Sequence, residues 1–214
     1  YHDMGLIGSY IFPAITGGTT YGFDPLDFLK RPLLWLETIS RVRATGASSP
    51  NFGFEYCLRE DKVPAARLPG LDLSSLRLLA NASEPVRADT FERFLARYAR
   101  CGLRPDAHVA AYGLAENTLG VTTSGRRVAT VDKRLLQLGR LRFANARTTG
   151  ENRERLVSCG RPLAGVDVRI VNPETRMALG EQRIGEIWVA GKSTCAGYWN
   201  RPEETANVMT ADGF

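Results

Sequence analysis

Short apolar runs, each followed by a polar turn, are the feature that most constrains the fold of this chain. Residues 76–80 (LRLLA) form such a run, and residues 88–101 then show helical periodicity. A second run, residues 108–112 (HVAAY), also ends in a glycine-containing turn. Repeated strand–loop–helix units pack with their strands side by side and parallel. The pattern therefore predicts an α/β fold with a partial mixed or parallel sheet and flanking helices.

The last part of the chain shows a different pattern, in which apolar and polar residues alternate. Residues 166–171 (VDVRIV) and 185–189 (GEIWV) alternate cleanly, as strands with one buried face do. We therefore expect a small antiparallel β-rich subdomain at this end. We place the division at residue 157, so that residues 1–156 form the α/β part and residues 157–214 the β-rich part.

A helix is expected from about Pro32 to Thr45, because apolar residues recur there at near-helical spacing and proline favours a helix start. Ser49 and Pro50 should end it, since a residue before proline is pushed out of the helical region. The next residues, Asn51 and Phe52, then predict a loop that lines a ligand.

The composition and charge exclude several classes of protein. At 214 residues with 43% hydrophobic residues, the chain can fill a core, and no apolar run is long enough to span a membrane. The net charge of +5 suits an anionic ligand such as a nucleotide or phosphopantetheine, or a nucleic acid. We discount nucleic acid, because the basic residues are scattered and the densest run also carries acids. The four cysteines form no C-x-x-C pair, so the sequence suggests neither a zinc site nor a disulfide framework and fits a reducing cytoplasm.

One segment, Tyr112-Gly113-Leu114-Ala115-Glu116, places an aromatic ring, a glycine and a carboxylate at the end of a predicted strand. Such a set offers a ring to stack on a base and an acid to hold a metal ion bound to phosphates. A core tyrosine beside a helix-capping glutamate explains the same residues. The pentapeptide alone leaves both interpretations open.

Two other polar segments have similar alternatives. Ser83 and Glu84 follow the preceding strand, where they form either part of a ligand site or a turn in which Glu84 lies at the positive start of the next helix. His2 and Asp3 are adjacent, and because neighbours rarely face each other, we expect no catalytic dyad. His2 is retained only as a candidate for the wall of a pocket.

The order of these segments along the chain is more specific than any one of them. The chain resembles the adenylate-forming enzymes and, within them, the fatty acyl-AMP ligases. The matching segments cover nearly the whole chain: residues 1–8 (YHDMGLIG), 28–32 (FLKRP), 49–55 (SPNFGFE), 81–86 (NASEPV), 112–116 (YGLAE), 158–162 (SCGRP), 185–189 (GEIWV) and 197–203 (GYWNRPE).

The resemblance implies an activity and a role for each candidate residue. Such enzymes join a fatty acid to ATP, release pyrophosphate, and pass the acyl group to the phosphopantetheine thiol of an acyl carrier protein. The resemblance places Ser83 and Glu84 beside the adenine, Tyr112 stacked on it, and Gly113 and Leu114 near the α-phosphate. It makes Glu116 the catalytic ligand of Mg²⁺. It places the acyl chain near His2, Met4, Asn51 and Phe52.

The resemblance also implies an insertion at residues 131–155 that packs on the main domain and disfavours transfer to coenzyme A. Its leucines at 135, 136, 138 and 141, together with Phe143, are expected to anchor it. The family's phosphate loop should precede residue 1, and its terminal lysine should follow residue 214. We therefore expect this chain alone to be inactive.

Three alternatives remain open from the sequence. The first two are a long-chain acyl-CoA ligase and an amino-acid adenylation domain, which share the same pockets. The third is a module that binds nucleotide or carrier protein without catalysis.

Overall fold

The computed structural model describes residues 2–210 and 213–214. Tyr1, the first residue of the matching segment 1–8, lies outside them. The strands are β1 (Gly46–Ser49), β2 (Leu78–Asn81), β3 (His108–Gly113), β4 (Gly120–Gly125), β5 (Val128–Asp132), β6 (Arg153–Val157), β7 (Gly160–Pro162), β8 (Val166–Val171) and β9 (Glu186–Gly191).

Helices flank these strands, and short 3₁₀ turns connect several of them. A π-helical segment, Leu6–Ile11, joins the first two helices. The α-helices are α1 (Asp3–Gly5), α2 (Phe12–Thr16), α3 (Pro25–Lys30), α4 (Leu33–Val42), α5 (Asn51–Leu58), α6 (Ala88–Tyr98), α7 (Lys133–Gln137) and α8 (Pro202–Val208).

The main sheet is mixed, with the strand order β1–β2–β3–β4–β7. The first three strands run parallel, whereas β4 pairs antiparallel with both β3 and β7. Two further antiparallel pairs, β5–β6 and β8–β9, complete the described strands. The predicted fold class is therefore confirmed. Because β7 lies beyond residue 157 and yet belongs to the main sheet, the chain returns to that sheet before β8 begins. The division into two domains at residue 157 stays a prediction.

The predicted helix after Pro32 is present, but the predicted loop at Asn51 is wrong. Helix α4 ends at Val42, where Arg43 takes a left-handed conformation with φ of 51°. A short strand, β1, follows, and α5 begins directly at Asn51. Pro50, with an extended backbone, is the N-cap of this helix, and because proline disfavours a helical conformation in the residue before it, the helix does not extend back into β1.

The hydrophobic core lies between the parallel strands and helices α4, α5 and α6. Phe54 of α5 is fully buried, with its ring edge-on to Trp35 of α4 at 5.6 Å and to Phe94 of α6 at 4.8 Å between centroids. The Tyr98 hydroxyl of α6 donates to the carbonyl oxygen of Cys57 at 2.6 Å. This packing holds the parallel strands in place and so determines where their carboxyl ends lie.

The segment between β5 and β6 is held by backbone hydrogen bonds. Asp132 N donates to Arg142 O, and Ala144 N donates to Thr130 O, both at 2.9 Å. The expectation that five apolar side chains anchor this segment is wrong for Leu138 and Phe143, which are 73% and 61% exposed, whereas Leu135, Leu136 and Leu141 are partly buried. Backbone pairing along β5 also holds the segment. No helix in the described part of the chain is long and apolar enough to cross a membrane.

Candidate functional site

The loops that follow β1, β2 and β3 leave the sheet at one edge. Ser49 is opposite Asn81 in the β1–β2 pairing, and Asn81 is opposite Ala110 in the β2–β3 pairing. The carboxyl ends of parallel strands are where α/β folds bind ligands, because loops and helix starts converge there. The candidates from residue 51 to residue 116 follow these three strand ends and therefore share this edge.

A first group of candidates meets after β2. The Ser83 hydroxyl lies 3.3 Å from the Met4 sulfur, and the backbone N–H of Phe52 donates to Glu84 Oε1 at 2.6 Å. Four candidates from three distant segments are thus brought together. Glu84 caps the start of α5 rather than the start of the following helix. Its negative charge lies at the positive end of the α5 dipole, which is a favourable placement. The alternative interpretation, in which Glu84 lies at the start of the following helix, is therefore wrong, because α6 has no side-chain cap.

The backbone at Ser83 is strained. Its φ of 71° lies in the left-handed region, which costs residues with a Cβ about 1–2 kcal/mol. Such strain persists where surrounding contacts hold a turn in one shape. The turn after β2 therefore presents Ser83 and Glu84 in a defined orientation.

Asn51 is 4% exposed and lies below the surface of the site. Its Oδ1 accepts from Asn81 Nδ2 at 3.2 Å and from Arg87 N at 3.1 Å, and its Nδ2 donates to Thr90 Oγ1 at 3.3 Å. The side chain thus ties β2 and α6 to the start of α5. Phe52, next to it, is 44% exposed, with its ring edge-on to Tyr56 at 6.1 Å between centroids. The acyl-binding roles of both residues stay predictions.

His2 and Asp3 face each other, contrary to the expectation. His2 Nδ1 lies 2.6 Å from Asp3 Oδ1, because both side chains fold over the first turn of α1 around the N–H of Met4. The His2 side chain is 66% exposed. No nucleophile accompanies the pair in the described contacts, so the geometry does not indicate acid–base catalysis.

A second group lies at the end of β3. Tyr112 is partly buried, and burial, with a further contribution from the charge of Glu116, raises the pKa of its hydroxyl, so the ring stays neutral. Gly113 has no room for a side chain, because a Cβ there would lie 1.9 Å from Leu119 O. Leu114 N donates to the same carbonyl at 2.9 Å. A tight crossing of the chain therefore requires the glycine and places residues 114–116 just beyond the strand.

Glu116 is held by a loop that follows β9. The Tyr198 hydroxyl donates to Glu116 Oε1, and Cys195 N donates to Glu116 O at 2.7 Å. The hydrogen bond to Glu116 raises the pKa of Tyr198. The residue after it, Asn117, is 1% exposed and accepts at Oδ1 from Ser193 Oγ at 3.0 Å and Thr194 Oγ1 at 3.1 Å. We call residues 193–198 the clamp loop.

Sequence reasoning assigned no role to Asn117 or Tyr198. Tyr198 lies in the matching segment 197–203, which was the available signal. The contacts that tie Asn117 to the clamp loop have no local signal, because those partners lie 76 and 77 residues away.

The group at the end of β3 offers one carboxylate, that of Glu116, to a metal ion. Among residues 2–210 and 213–214, no group of three or more His, Cys, Asp or Glu side chains could hold a metal. Mg²⁺ does not need such a group, since it commonly uses one or two carboxylates together with substrate phosphates and water. Glu116 fits this use, because Tyr198 occupies only its Oε1.

The chain is similar in sequence and in fold to known proteins. The profile of a family described as AMP-binding enzyme matches residues 1–199. The medium-chain-fatty-acid–[acyl-carrier-protein] ligase JamA of Moorena producens (strain JHB) is 41% identical over 216 residues. That alignment covers 99% of this chain and 36% of the relative.

Two solved structures share the fold. A fatty acyl-adenylate ligase from L. pneumophila, in complex with acyl adenylate and pyrophosphate, superposes with a TM-score of 0.85 at 40% identity, covering 96% of this chain and 36% of that one. An adenylation domain of a keto acid-selecting NRPS module, bound to keto acyl adenylate, gives 0.88 at 30% identity, covering 99% and 40%. The chain thus spans 36% to 40% of the length of these three proteins.

Proposed function

Because the chain belongs to the family of AMP-binding enzymes, and its resemblance to the fatty acyl-AMP ligases is confirmed, we propose that the protein activates a fatty acid with ATP. The products are acyl-adenylate and pyrophosphate, and the acyl group then passes to the phosphopantetheine thiol of an acyl carrier protein. The observation that carries this proposal is the carboxylate of Glu116, held by Tyr198 just beyond the partly buried ring of Tyr112. Supply of ATP and of carrier protein makes the cytoplasm its expected location.

In this proposal each candidate contributes positioning or charge. Tyr112 stacks on the adenine, which Ser83 and Glu84 flank, while Gly113 and Leu114 bring backbone close to the α-phosphate. Glu116 holds Mg²⁺, which neutralises phosphate charge when bound. Met4, His2 and the exposed ring of Phe52 border the acyl chain, and Asn51 fixes the helix that carries Phe52. Precise positioning and charge neutralisation are what displacement at a phosphorus centre requires.

Pyrophosphate release by the full-length protein with a fatty acid and ATP tests this proposal. Glu116→Gln keeps an oxygen for Tyr198 but removes the charge, so we expect release to fall by about two orders of magnitude. Glu174→Gln, at an exposed carboxylate between β8 and β9, is the matched control and should leave the rate unchanged. An unchanged rate for Glu116→Gln would remove this residue from the site.

Tyr112→Ala should raise the KM for ATP by roughly tenfold, since stacking on a base contributes about 1–3 kcal/mol. Tyr112→Phe retains the ring and should stay near the wild-type value. A protein that binds ATP yet releases no pyrophosphate would instead be a binding module.

The acceptor distinguishes the remaining alternatives. The fold alone does not, because an NRPS adenylation domain superposes as well as a fatty acyl-adenylate ligase does. Transfer of the labelled acyl group to a phosphopantetheine-bearing carrier protein, but not to coenzyme A, is the expected result. Transfer to coenzyme A would identify an acyl-CoA ligase, and activation of amino acids rather than fatty acids would identify an adenylation domain.

A further inference from the structure

Most of the net positive charge of the chain lies in one segment. Residues 131–155 carry seven basic and three acidic side chains, a net charge of +4 of the total of +5. Two carboxylates in or beside this segment already form ion pairs. Asp132 pairs with Arg134 at 3.1 Å, and Glu92 of α6 pairs with Arg155. Within the described part of the chain, no carboxylate pairs with Arg140, Arg142 or Arg147. These three guanidinium groups can therefore form ion pairs with carboxylates of a binding partner.

A cavity of about 300 Å³ lies inside this segment, and we call it the basic cavity. Arg134, Arg142 and Arg147 line it, together with Phe143, Asp132 and Thr148. Asp132 is neutralised by three contacts from Arg134, one from the backbone N–H and two from the guanidinium. Arg142 and Arg147 thus give the lining a net positive charge. None of the candidate residues for ATP or acyl binding lines it.

The walls of the basic cavity are held in place. The Arg153 guanidinium donates to Thr148 O at 3.1 Å and to Asn145 O at 3.3 Å, which fixes the turn that carries Arg147. Leu141 N donates to Gln182 O at 2.9 Å, and Ile184 N to Gly139 O at 3.1 Å, so the other wall is tied to the β8–β9 connection. Arg142 and Arg147 are therefore presented by an ordered frame.

The composition around the basic cavity is that of a protein interface rather than a site for a small anion. Phe143, which lines the cavity beside Arg142, is 61% exposed, and Leu138, four residues before Arg142 in the chain, is 73% exposed. Aromatic residues and arginine are enriched where proteins meet, whereas a small anion gains nothing from an exposed leucine. A partner that fits this surface presents carboxylates around an apolar contact.

We propose that the basic cavity and its exposed Phe143 dock a carboxylate-bearing face of the acyl carrier protein. This inference rests on the proposed function, because the carrier protein is the acceptor of that reaction. The docking surface is separate from the site of chemistry, so it selects the protein part of the acceptor and not its phosphopantetheine arm. Exposed charges of this kind raise the association rate and the affinity, and both effects weaken as the salt concentration rises.

Binding of an acyl carrier protein in its apo form, which lacks the arm, tests the proposal by fluorescence anisotropy with the full-length protein. The double variant Arg142→Glu and Arg147→Glu should raise the Kd by roughly tenfold and flatten its dependence on KCl. The matched control, Arg77→Glu with Arg100→Glu, makes the same change in net charge on exposed arginines of other elements. It should leave the Kd within about twofold of the wild-type value.

Pyrophosphate release, measured on the same variants, separates this proposal from the proposed function. Unchanged release with a raised Kd supports docking at the basic cavity, whereas loss of release in the wild-type protein concerns only the proposed function. The docking proposal is overturned if the wild-type protein does not bind the apo carrier, if both double variants behave alike, or if only the KM for ATP rises. The neutral pair Arg142→Gln and Arg147→Gln keeps the backbone contacts and should give an intermediate loss, which serves if the charge reversal prevents folding.

Discussion

The buried imidazole of His108 should make the stability of the protein fall steeply in mild acid. His108 begins β3 and is 0% exposed. Its ring is stacked on Phe91 at 4.1 Å and on Phe54 at 5.1 Å between centroids. Neither ring nitrogen has a hydrogen-bond partner among the described residues. Burial without a partner disfavours the charged form and lowers the pKa of His108 from 6.5 to about 4.

The sign and size of the effect follow from this shift. Between pH 6.5 and 4 the unfolded chain binds a proton at this position while the folded chain does not, so acid favours unfolding. Stability from this source is complete above the unfolded pKa and is lost as the pH falls towards the folded pKa. The shift in pKa corresponds to about 3 kcal/mol when the transition is complete, and to about 2.5 kcal/mol at pH 4.5.

The variant His108→Leu removes the titration and both unpaired nitrogens at similar side-chain volume. Urea unfolding, followed by far-UV circular dichroism, measures the free energy of unfolding from pH 7.5 to 4.5. Subtracting wild type from variant cancels the carboxylates, which titrate in both proteins. We expect the two to differ by less than about 1.5 kcal/mol at pH 7.5, because lost ring stacking offsets the relief of buried polar groups. The variant should then gain about 2.5 kcal/mol on wild type by pH 4.5.

A core variant without a titratable group supplies the control. Leu36→Ala removes buried apolar volume in α4, so its difference from wild type should not change with pH. A difference between wild type and His108→Leu that does not change with pH would refute the reasoning, since it would mean that the imidazole is solvated or paired in the folded protein.

Three further outcomes are expected. Phe54→Ala should lower the free energy of unfolding by about 3–5 kcal/mol in urea titrations, because it empties the centre of the aromatic core; equal stability would mean that the core collapses around it. Ser83→Gly should raise thermal stability by up to about 1 kcal/mol by relieving the left-handed backbone, whereas Ser83→Val should lower it. Replacing residues 133–152 by Asn-Gly should leave pyrophosphate release intact and allow coenzyme A to accept the acyl group, as measured by acyl-CoA formation. Asp132 and Arg153 are the last pair of the β5–β6 ladder, so a two-residue turn can close it. A variant that folds and adenylates but still makes no acyl-CoA would show that this segment is not the barrier.

The secondary structure could be predicted well where the pattern was strong and local. The strand, loop and helix from residue 76 to residue 101 and the alternating strands β8 and β9 appear as expected, because each is encoded by a periodicity within about ten residues. The strand β1 was missed, since Gly46 and the small residues after it carry no apolar alternation. It is a strand because it pairs with β2, so tertiary contact decides its conformation rather than propensity.

The geometry of the site could be predicted less well, because its decisive contacts join distant parts of the chain. The parallel strands bring Ser83 and Glu84 to the edge where Glu116 lies, which the sequence pattern did indicate. The orientation of Glu116 depends instead on the clamp loop, and Tyr198 lies 82 residues away from the carboxylate that it contacts. A local sequence pattern cannot predict a contact between residues so far apart in the chain.

The clamp loop links the two predicted parts of the chain, residues 1–156 and 157–214, at the candidate site. Glu116 and Asn117 belong to the α/β part, whereas every residue that holds them from the clamp loop follows β9. The clamp loop satisfies Oδ1 of Asn117, whereas Nδ2 donates to Gly120 O at the start of β4, and a buried acceptor without its partners costs about 1–3 kcal/mol. We therefore expect the loop after β3 to be held less firmly when the clamp loop is absent. In the proposed function Glu116 holds Mg²⁺, and a carboxylate on a loose loop would lose much of its effect there, since charge stabilisation in catalysis depends on groups that are already in position. Residues on both sides of the proposed division are therefore needed to build one functional site.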